Sequence, residues 1–299
     1  MTKLPHMDAQ EFLREIGQKI NDYLATVFTP DNEPQSLFNA MRYSLLAPGK
    51  RLRPALCLAV ARTLEVAEEQ AMPVAASLEL VHAYSLIHDD LPAMDNDDLR
   101  RGQPTNHKVF GEATALLAGD GLLTHAFSLL SHRLPFLSSE QQLELVWSLA
   151  NAAGPHGMVG GQQADLSAET QSPNLATLQF IHTHKTAALI EAAVVMGAIV
   201  GQASIEQKEL LASYGRHLGL AFQIVDDLLD VTATTQELGK SSGADERQHK
   251  MTYPVVVGIA ETRRLAENEL TQALAALAKT NLHTSLLVGL AELSVRRIH

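Results

Sequence analysis

Residues 86–102, LIHDDLPAMDNDDLRRG, place five aspartates within ten positions, directly after a long helical pattern and before two arginines. Pro92 lies where that pattern would continue, and a proline both lacks an amide hydrogen and clashes with the preceding helical turn. Like charges at this density repel one another. The stretch therefore predicts that a helix ends here and that its acidic groups need a counter-charge.

Outside this stretch, apolar residues recur at helical spacing along the whole chain. Apolar residues make up 46% of the 299 residues and aromatics only 5%, and Ala and Leu lose little conformational freedom in a helix. We find no strand pattern, repeat or long linker, and we therefore expect one all-α domain over residues 1–299. The predicted helices lie near residues 8–28, 35–46, 54–65, 69–90, 111–132, 139–151, 174–200, 204–231, 253–279 and 283–297.

Composition narrows the possible partners and the compartment. The formal net charge of −11 argues against nucleic acid as the main partner. Cys57 is the only cysteine, so no disulfide framework or thiolate metal cluster is expected. The first residues lack the apolar run of a signal peptide, and the apolar window 187–201 is too short to span a bilayer. We expect a cytoplasmic protein without stable membrane insertion.

A second acidic cluster, QIVDDLLD, lies near the end of an apolar helix. Asp226 and Asp230 are four residues apart and share a helix face, with Gln223 about one turn earlier. A solvated helix end is the alternative explanation for this cluster alone.

Helix geometry bears on whether the first cluster can form a shared site. On an uninterrupted helix Asp95 would lie about 240° around from Asp89, so the break at Pro92 is needed to bring them together. His82 lies seven residues before Asp89, about two turns back on the same face, and can face the same cleft.

Two carboxylate clusters with oxygen ligands alone suit Mg²⁺, which proteins hold through carboxylates, water and substrate phosphates. Basic groups accompany them, and arginine and lysine both bind phosphate oxygens. Each basic group alone is more typical of a solvated surface, but together with two acidic clusters they favour a diphosphate site. They are Lys50, Arg51, Arg53, Arg100, Arg101, Lys185, Lys240 and Lys250.

With these motifs the chain resembles the trans-isoprenyl diphosphate synthase family over most of its length, and within it the bacterial farnesyl diphosphate synthases. The resemblance implies a single helical bundle with a central cavity. It also implies condensation of dimethylallyl or geranyl diphosphate with isopentenyl diphosphate to (2E,6E)-farnesyl diphosphate, and a homodimer. The segments that carry it are GKRLRP, VHAYSLIHDDLPAMDNDDLRRGQPTNH, LAGD, GGQQADL, HKTAALI, LAFQIVDDLLDV and LGKSSGADERQHKMTYP.

The same resemblance implies a role for each matching residue. Three magnesium ions would be held by Asp89, Asp95 and Asp226, with Asp90 and Asp230 as weaker or outer ligands. The allylic diphosphate would be gripped by Arg100, Lys185 and Lys240. Isopentenyl diphosphate would be held by Lys50, Arg53, His82 and Arg101. Thr186 and Gln223 would approach the allylic carbon, Lys250 would lie near a closing lid, and Tyr84 would form the floor of the chain pocket.

Some features have plainer explanations. Tyr84 could be an ordinary core aromatic, and its ideal position is about 140° around the helix from Asp89. His182 and His184 are interpreted as surface histidines, and Gly160 and Gly161 as sites of close helix packing.

Other functions remain as alternatives. A geranylgeranyl diphosphate synthase shares the first motif. A His-Asp phosphohydrolase could use His88 and Asp89, and a terpene cyclase shares one aspartate-rich motif, but neither explains QIVDDLLD. A non-catalytic partner subunit of a heteromeric prenyl synthase would typically lack motif aspartates, and all six are present here.

Overall fold

The structure, a computed structural model, describes residues 8–132, 134–170, 172–232 and 251–296. In that part of the chain, helices dominate, and the all-α prediction is confirmed. They are α1 (Ala9–Val27), α2 (Gln35–Leu45), α3 (Leu52–Thr63), α4 (Glu68–Asp89), α5 (Asn106–Phe110), α6 (Glu112–Ser131), α7 (Ser139–Ala153), α8 (Met158–Ala168), α9 (Leu175–Ile181), α10 (Ala188–Val200), α11 (Ile205–Thr232), α12 (Tyr253–Val257), α13 (Ile259–Ala278) and α14 (Ser285–Val295).

Helices that are apolar around their whole circumference form the centre of the bundle. Residues 54–61 of α3 and 192–194 of α10 are buried without interruption, and α4 buries residues 74–81. A helix that is apolar on all sides is expected in the core of a protein. α4 and α11 therefore carry their acidic ends out of a rigid, close-packed interior.

α1 lies at the periphery and buries a single stripe. Phe12, Ile16, Ile20 and Leu24 follow at four-residue spacing and are at most 1% exposed. Burial of each such side chain contributes about 1.5–3 kcal/mol, so the stripe holds α1 to the core while its other faces stay polar.

The structure differs from the predicted elements in five places. α5 was not predicted because it has only 5 residues. α8 (MVGGQQADLSA) was not predicted because it is short and lacks an amphipathic pattern. The residues predicted as one helix over 253–279 form α12 and α13, separated at Gly258 with φ of 82°. A positive φ is accessible to glycine at little steric cost, so the chain turns there.

Two further differences affect the site. The predicted helix 174–200 contains a π-helical turn over His182–Ala187, called here the π turn. The expectation that the chain contains no strand was wrong. β1 (Leu99–Arg100) pairs antiparallel with β2 (Gln103–Pro104) to form a two-stranded ribbon.

Two segments of the described chain are long and apolar enough to cross a membrane by length and composition, Glu112–Ser131 and Leu175–Val200. The second has 67% of its most apolar window buried, as expected of a core helix. The first has only 33% buried, so α6 presents an apolar surface outward.

Candidate active site

The first acidic cluster forms where α4 ends. The helix stops at Asp89, and the chain turns so that the amide of Asp95 donates a hydrogen bond to the carbonyl of Asp89 (2.8 Å). The predicted return of Asp95 toward Asp89 after Pro92 is therefore observed. The two carboxylates also act on each other electrostatically.

The β-ribbon carries two arginines, one of which contacts this cluster. Arg101 (φ 54°) and Gly102 (φ 77°) form a two-residue turn in which both residues have positive φ, the hairpin geometry that matches strand twist. Arg100 donates to the Asp90 carboxylate from Nε (2.7 Å), and Arg101 donates to the carbonyl of Pro48 (2.6 Å). The ribbon thus ties the first acidic cluster to the loop before α3.

In that loop Arg51 has a structural role. Its backbone is left-handed (φ 48°), and its buried side chain pairs with Glu79 and donates to the carbonyl of Ala47 (2.8 Å). With Arg51 turned inward, Lys50 remains exposed at the surface. Arg51 thereby shapes the segment that carries the predicted substrate residues Lys50, in the loop, and Arg53, in the first turn of α3.

Arg53 and His82 are buried next to each other near the second acidic cluster. The Arg53 Nε is buried, and its N–H donates to no partner among the described residues. Burial lowers the Arg53 pKa, while Glu79 and Asp226 oppose that change, so Arg53 and Asp226 lie within electrostatic reach. Burial, with Arg53 and Arg101, also lowers the pKa of His82 well below its usual range, so its imidazole is neutral at pH 7.

The π turn places Lys185 and Thr186 between two neighbouring helices. A Cβ on Gly161 of α8 would lie 2.1 Å from the Lys185 amide nitrogen, and one on Gly219 of α11 would lie 2.6 Å from Ala187 Cα. The predicted close packing is confirmed at Gly161. π turns insert an extra residue into a helix and often occur at functional sites.

From the π turn the two side chains reach opposite neighbours. Lys185 Nζ donates to Asp165 Oδ2 of α8 (2.6 Å), and Thr186 Oγ1 donates to Gln223 Oε1 of α11 (2.9 Å). Gln223 lies three residues before Asp226, so the π turn is linked to the second acidic cluster.

Asp227 of that cluster binds one side-chain amide and one backbone amide. It accepts hydrogen bonds from Gln223 Nε2 and from the Tyr253 amide, each at 3.0 Å. His182 lies 3.6 Å from Asp227 Oδ2 and is 6% exposed, so the interpretation of His182 as a surface residue was wrong. Burial lowers the His182 pKa to about 3.

The surroundings of Asp89 favour the protonated form of its carboxyl group. Burial raises its pKa to about 6; Lys185 opposes the rise and Asp95 adds to it. A buried carboxylate beside a second carboxylate gains from a cation between them. The nearby donors are carboxylate oxygens, so the site fits a hard divalent cation such as Mg²⁺.

Tyr84 and His88 pack together on α4. Tyr84 is 5% exposed, and its ring meets His88 edge-on with centroids 5.7 Å apart. Burial raises the Tyr84 pKa to about 12, with Asp89 as the second cause. The His88 Nε2 lies 3.0 Å from the Leu116 carbonyl, so this ring is turned toward α6.

Two predicted residues, Lys240 and Lys250, lie outside the described residues. Asp165 and Tyr253 belong to the site's framework and were missed. The GGQQADL segment was a signal for Asp165, because Asp165 follows the closely packed Gly161 by four residues on one helix face. No local pattern indicates Tyr253, which acts through its backbone amide.

Comparisons with known proteins show which family and which relatives this chain resembles. Residues 34–285 match the family described as Polyprenyl synthetase. The farnesyl diphosphate synthase of Geobacillus stearothermophilus is 42% identical over 300 residues, covering 99% of this chain and 100% of that protein. The chloroplastic geranylgeranyl pyrophosphate synthase of Catharanthus roseus is 52% identical over 236 residues, covering 79% and 66%. An apo FPP/GFPP synthase structure from Zymomonas mobilis matches with a TM-score of 0.85 and 38% identity, covering 96% and 98%.

Proposed function

The chain belongs to the polyprenyl synthetase family, and from that premise we propose that it condenses dimethylallyl and geranyl diphosphate with isopentenyl diphosphate to form (2E,6E)-farnesyl diphosphate. The observation that carries the proposal is that the π turn meets both acidic clusters: the Lys185 ammonium attracts Asp89 electrostatically, and Thr186 hydrogen-bonds Gln223, three residues before Asp226. The comparisons confirm the predicted family and class of activity, and the full-length relative from G. stearothermophilus is named for farnesyl diphosphate.

We infer that Asp89, Asp95 and Asp226 hold Mg²⁺, in up to three ions once substrate is bound. The carboxylate donors and the raised pKa of Asp89 support this assignment. When bound, the metal would supply Lewis-acid stabilisation of the diphosphate leaving group.

The protein's own groups would bind the two substrates on two sides. Lys185 and Arg100, with Lys240, would bind the allylic diphosphate. Lys50, Arg53, His82 and Arg101 would bind isopentenyl diphosphate, with Lys250 near the closing side of the site. The buried Arg53 Nε supports this, because a buried guanidinium donor gains strongly from an anionic acceptor.

The placement of these residues indicates how the condensation would proceed. The allylic C–O bond breaks, its electrons leave with diphosphate, and the isopentenyl double bond attacks the allylic cation. The oxygens of Thr186 and Gln223, fixed by their mutual hydrogen bond, would stabilise the cation as it forms. A proton lost to the departed diphosphate completes the double bond. Water must be excluded, because it would capture the cation.

We assign Tyr84 to the floor of the chain pocket, which would stop growth at fifteen carbons. Its burial on α4 and its electrostatic reach to Asp89 support the assignment. Geranylgeranyl diphosphate synthesis is the second candidate, favoured by the similarity to the C. roseus enzyme.

We infer a cytoplasmic homodimer. The outer face of α6 supports this, since Leu116 and Leu117 are 47% and 56% exposed, and Leu143 and Trp147 of the adjacent α7 are 68% and 64% exposed. Exposed apolar surface of this kind favours burial against a protein partner, and a second copy of the same chain would cover it.

The deciding experiment uses the purified chain with Mg²⁺, dimethylallyl diphosphate and isopentenyl diphosphate, followed by dephosphorylation and sizing of the alcohols. We expect a fifteen-carbon alcohol. A twenty-carbon alcohol would move the assignment to the second candidate, and inorganic phosphate alone would point to a phosphohydrolase. Absence of turnover in a folded protein would indicate a non-catalytic partner subunit.

A further inference from the structure

We propose that Asp165, in the GGQQADL segment of α8, is a positioning residue for Lys185. This inference rests on the proposed function, in which Lys185 binds the allylic diphosphate. It gives Asp165 a role in the reaction, although Asp165 belongs to neither acidic cluster.

The contact is direct. The Lys185 Nζ lies 2.6 Å from Asp165 Oδ2, and the two side chains are 25% and 15% exposed. A lysine side chain has four rotatable carbon–carbon bonds and loses considerable entropy when it is held in one place. A partly buried carboxylate at this distance fixes the ammonium before substrate arrives.

The backbone on both sides of the pair is equally constrained. Gly161 precedes Asp165 by one helical turn, and a Cβ there would lie 2.1 Å from the Lys185 amide. α8 therefore meets the π turn twice, once through the glycine backbone and once through the carboxylate. The main chain and the end of the Lys185 side chain are positioned by the same helix.

The ammonium group can serve both Asp165 and a ligand. It has three hydrogen-bond donors, and Asp165 takes one of them. Asp89 attracts the same ammonium electrostatically. The contact with Asp165 thus keeps the Lys185 side chain from collapsing onto the acidic cluster and leaves two of its donors for a diphosphate.

The test compares Asp165→Asn with Glu169→Gln, which removes one charge from an exposed position at the end of the same helix. We expect Asp165→Asn to lower kcat for geranyl diphosphate by about 10- to 100-fold, because a misplacement of about 1 Å can cost about 100-fold. The KM for isopentenyl diphosphate should stay within about twofold, since other residues bind that substrate. Glu169→Gln should match the unmodified chain.

A double-mutant cycle separates positioning from a general structural role. In a Lys185→Ala background, Asp165→Asn should have little further effect on kcat, because residues that act as one unit are not additive. Independent, multiplying effects would overturn the proposal, as would kcat equal to that of Glu169→Gln. Unfolding of Asp165→Asn while Lys185→Ala still folds would assign Asp165 to the fold instead. Failure of the unmodified chain to form any prenyl product would reject the proposed function, a result distinct from all of these.

Discussion

At the scale of single residues, Asp89 is set apart by opposing requirements. It must ionise to bind a cation, yet burial raises its pKa to about 6 from an ordinary value of 3.8. The native state therefore binds more protons than the unfolded chain between those values. The contribution of this carboxyl to the stability of the metal-free protein is present at low pH and declines as pH rises toward 6.

The same shift predicts how metal binding responds to pH. If Asp89 holds Mg²⁺ as proposed, the ion competes with a proton for its carboxylate, so the increase in melting temperature caused by Mg²⁺ should be clearly larger at pH 7.5 than at pH 5.5. Asp89→Asn should weaken that increase and flatten its pH dependence. Asp98→Asn, a change at a 74% exposed carboxylate of the same stretch, should retain both. An unchanged pH response in Asp89→Asn would contradict the assignment.

Tyr84 makes a second prediction at this scale. If its ring closes the chain pocket, Tyr84→Ala should open space and shift the products from fifteen carbons to twenty or more, as measured by sizing the dephosphorylated alcohols. Loss of a buried aromatic also destabilises the fold by about 3–5 kcal/mol. Tyr84→Phe, which keeps the ring, should retain the fifteen-carbon product. The same product distribution in all three proteins would show that Tyr84 is only a core aromatic.

At the scale of elements, the π turn is the feature on which the catalytic assignment of Lys185 and Thr186 depends. Gly161 and Gly219 allow α8 and α11 to approach it closely on either side. A helix of ordinary pitch over the same residues would rotate the following side chains by about one residue, or 100°, and would aim them elsewhere.

Gly161→Ala tests this packing. The added methyl would lie 2.1 Å from a backbone nitrogen, so we expect a loss of about 1–3 kcal/mol in the free energy of unfolding, together with reduced kcat. Urea denaturation measures the first quantity. Gly17→Ala on α1 is the matched control, since its Cβ meets nothing within 4 Å and should stabilise the helix by about 0.5–1 kcal/mol. Equal stability of the two variants would contradict the close approach.

Long amphipathic or all-apolar helices could be predicted from sequence because their period persists over many residues. α1, α4 and α11 agree with prediction to within a few residues. The π turn, α8 and the β-ribbon could not, because each depends on tertiary packing at a few positions. At the ribbon, Arg101 adopts a positive φ that its residue type does not favour.

At the scale of the whole molecule, the apolar outer face of α6 predicts self-association. Leu117→Glu places a charge at a position already 56% exposed, so the fold should persist while the dimer dissociates. Sedimentation velocity would show the change in mass. Ile205→Glu, at a 75% exposed position that begins α11, is the control and should leave the mass unchanged. A monomeric unmodified chain would refute the inferred dimer.

The parts of the candidate site that could be predicted are those whose residues form a motif along the sequence. The two acidic clusters, His82 and the basic residues of the loop before α3 could all be named from sequence. The framework that orients them could not: Asp165, His182 and the Tyr253 amide meet their partners only after α8, the π turn and α12 have packed together.

The single tryptophan of the chain, Trp147, stands 64% exposed on α7, away from the acidic clusters in sequence and on the outer surface. Its emission is therefore a natural optical reporter of whatever covers that surface. Quenching of this fluorescence by acrylamide would measure the separation of paired subunits upon dilution, without any attached dye. Binding of a growing hydrocarbon chain in the interior would leave the fluorescence largely unchanged.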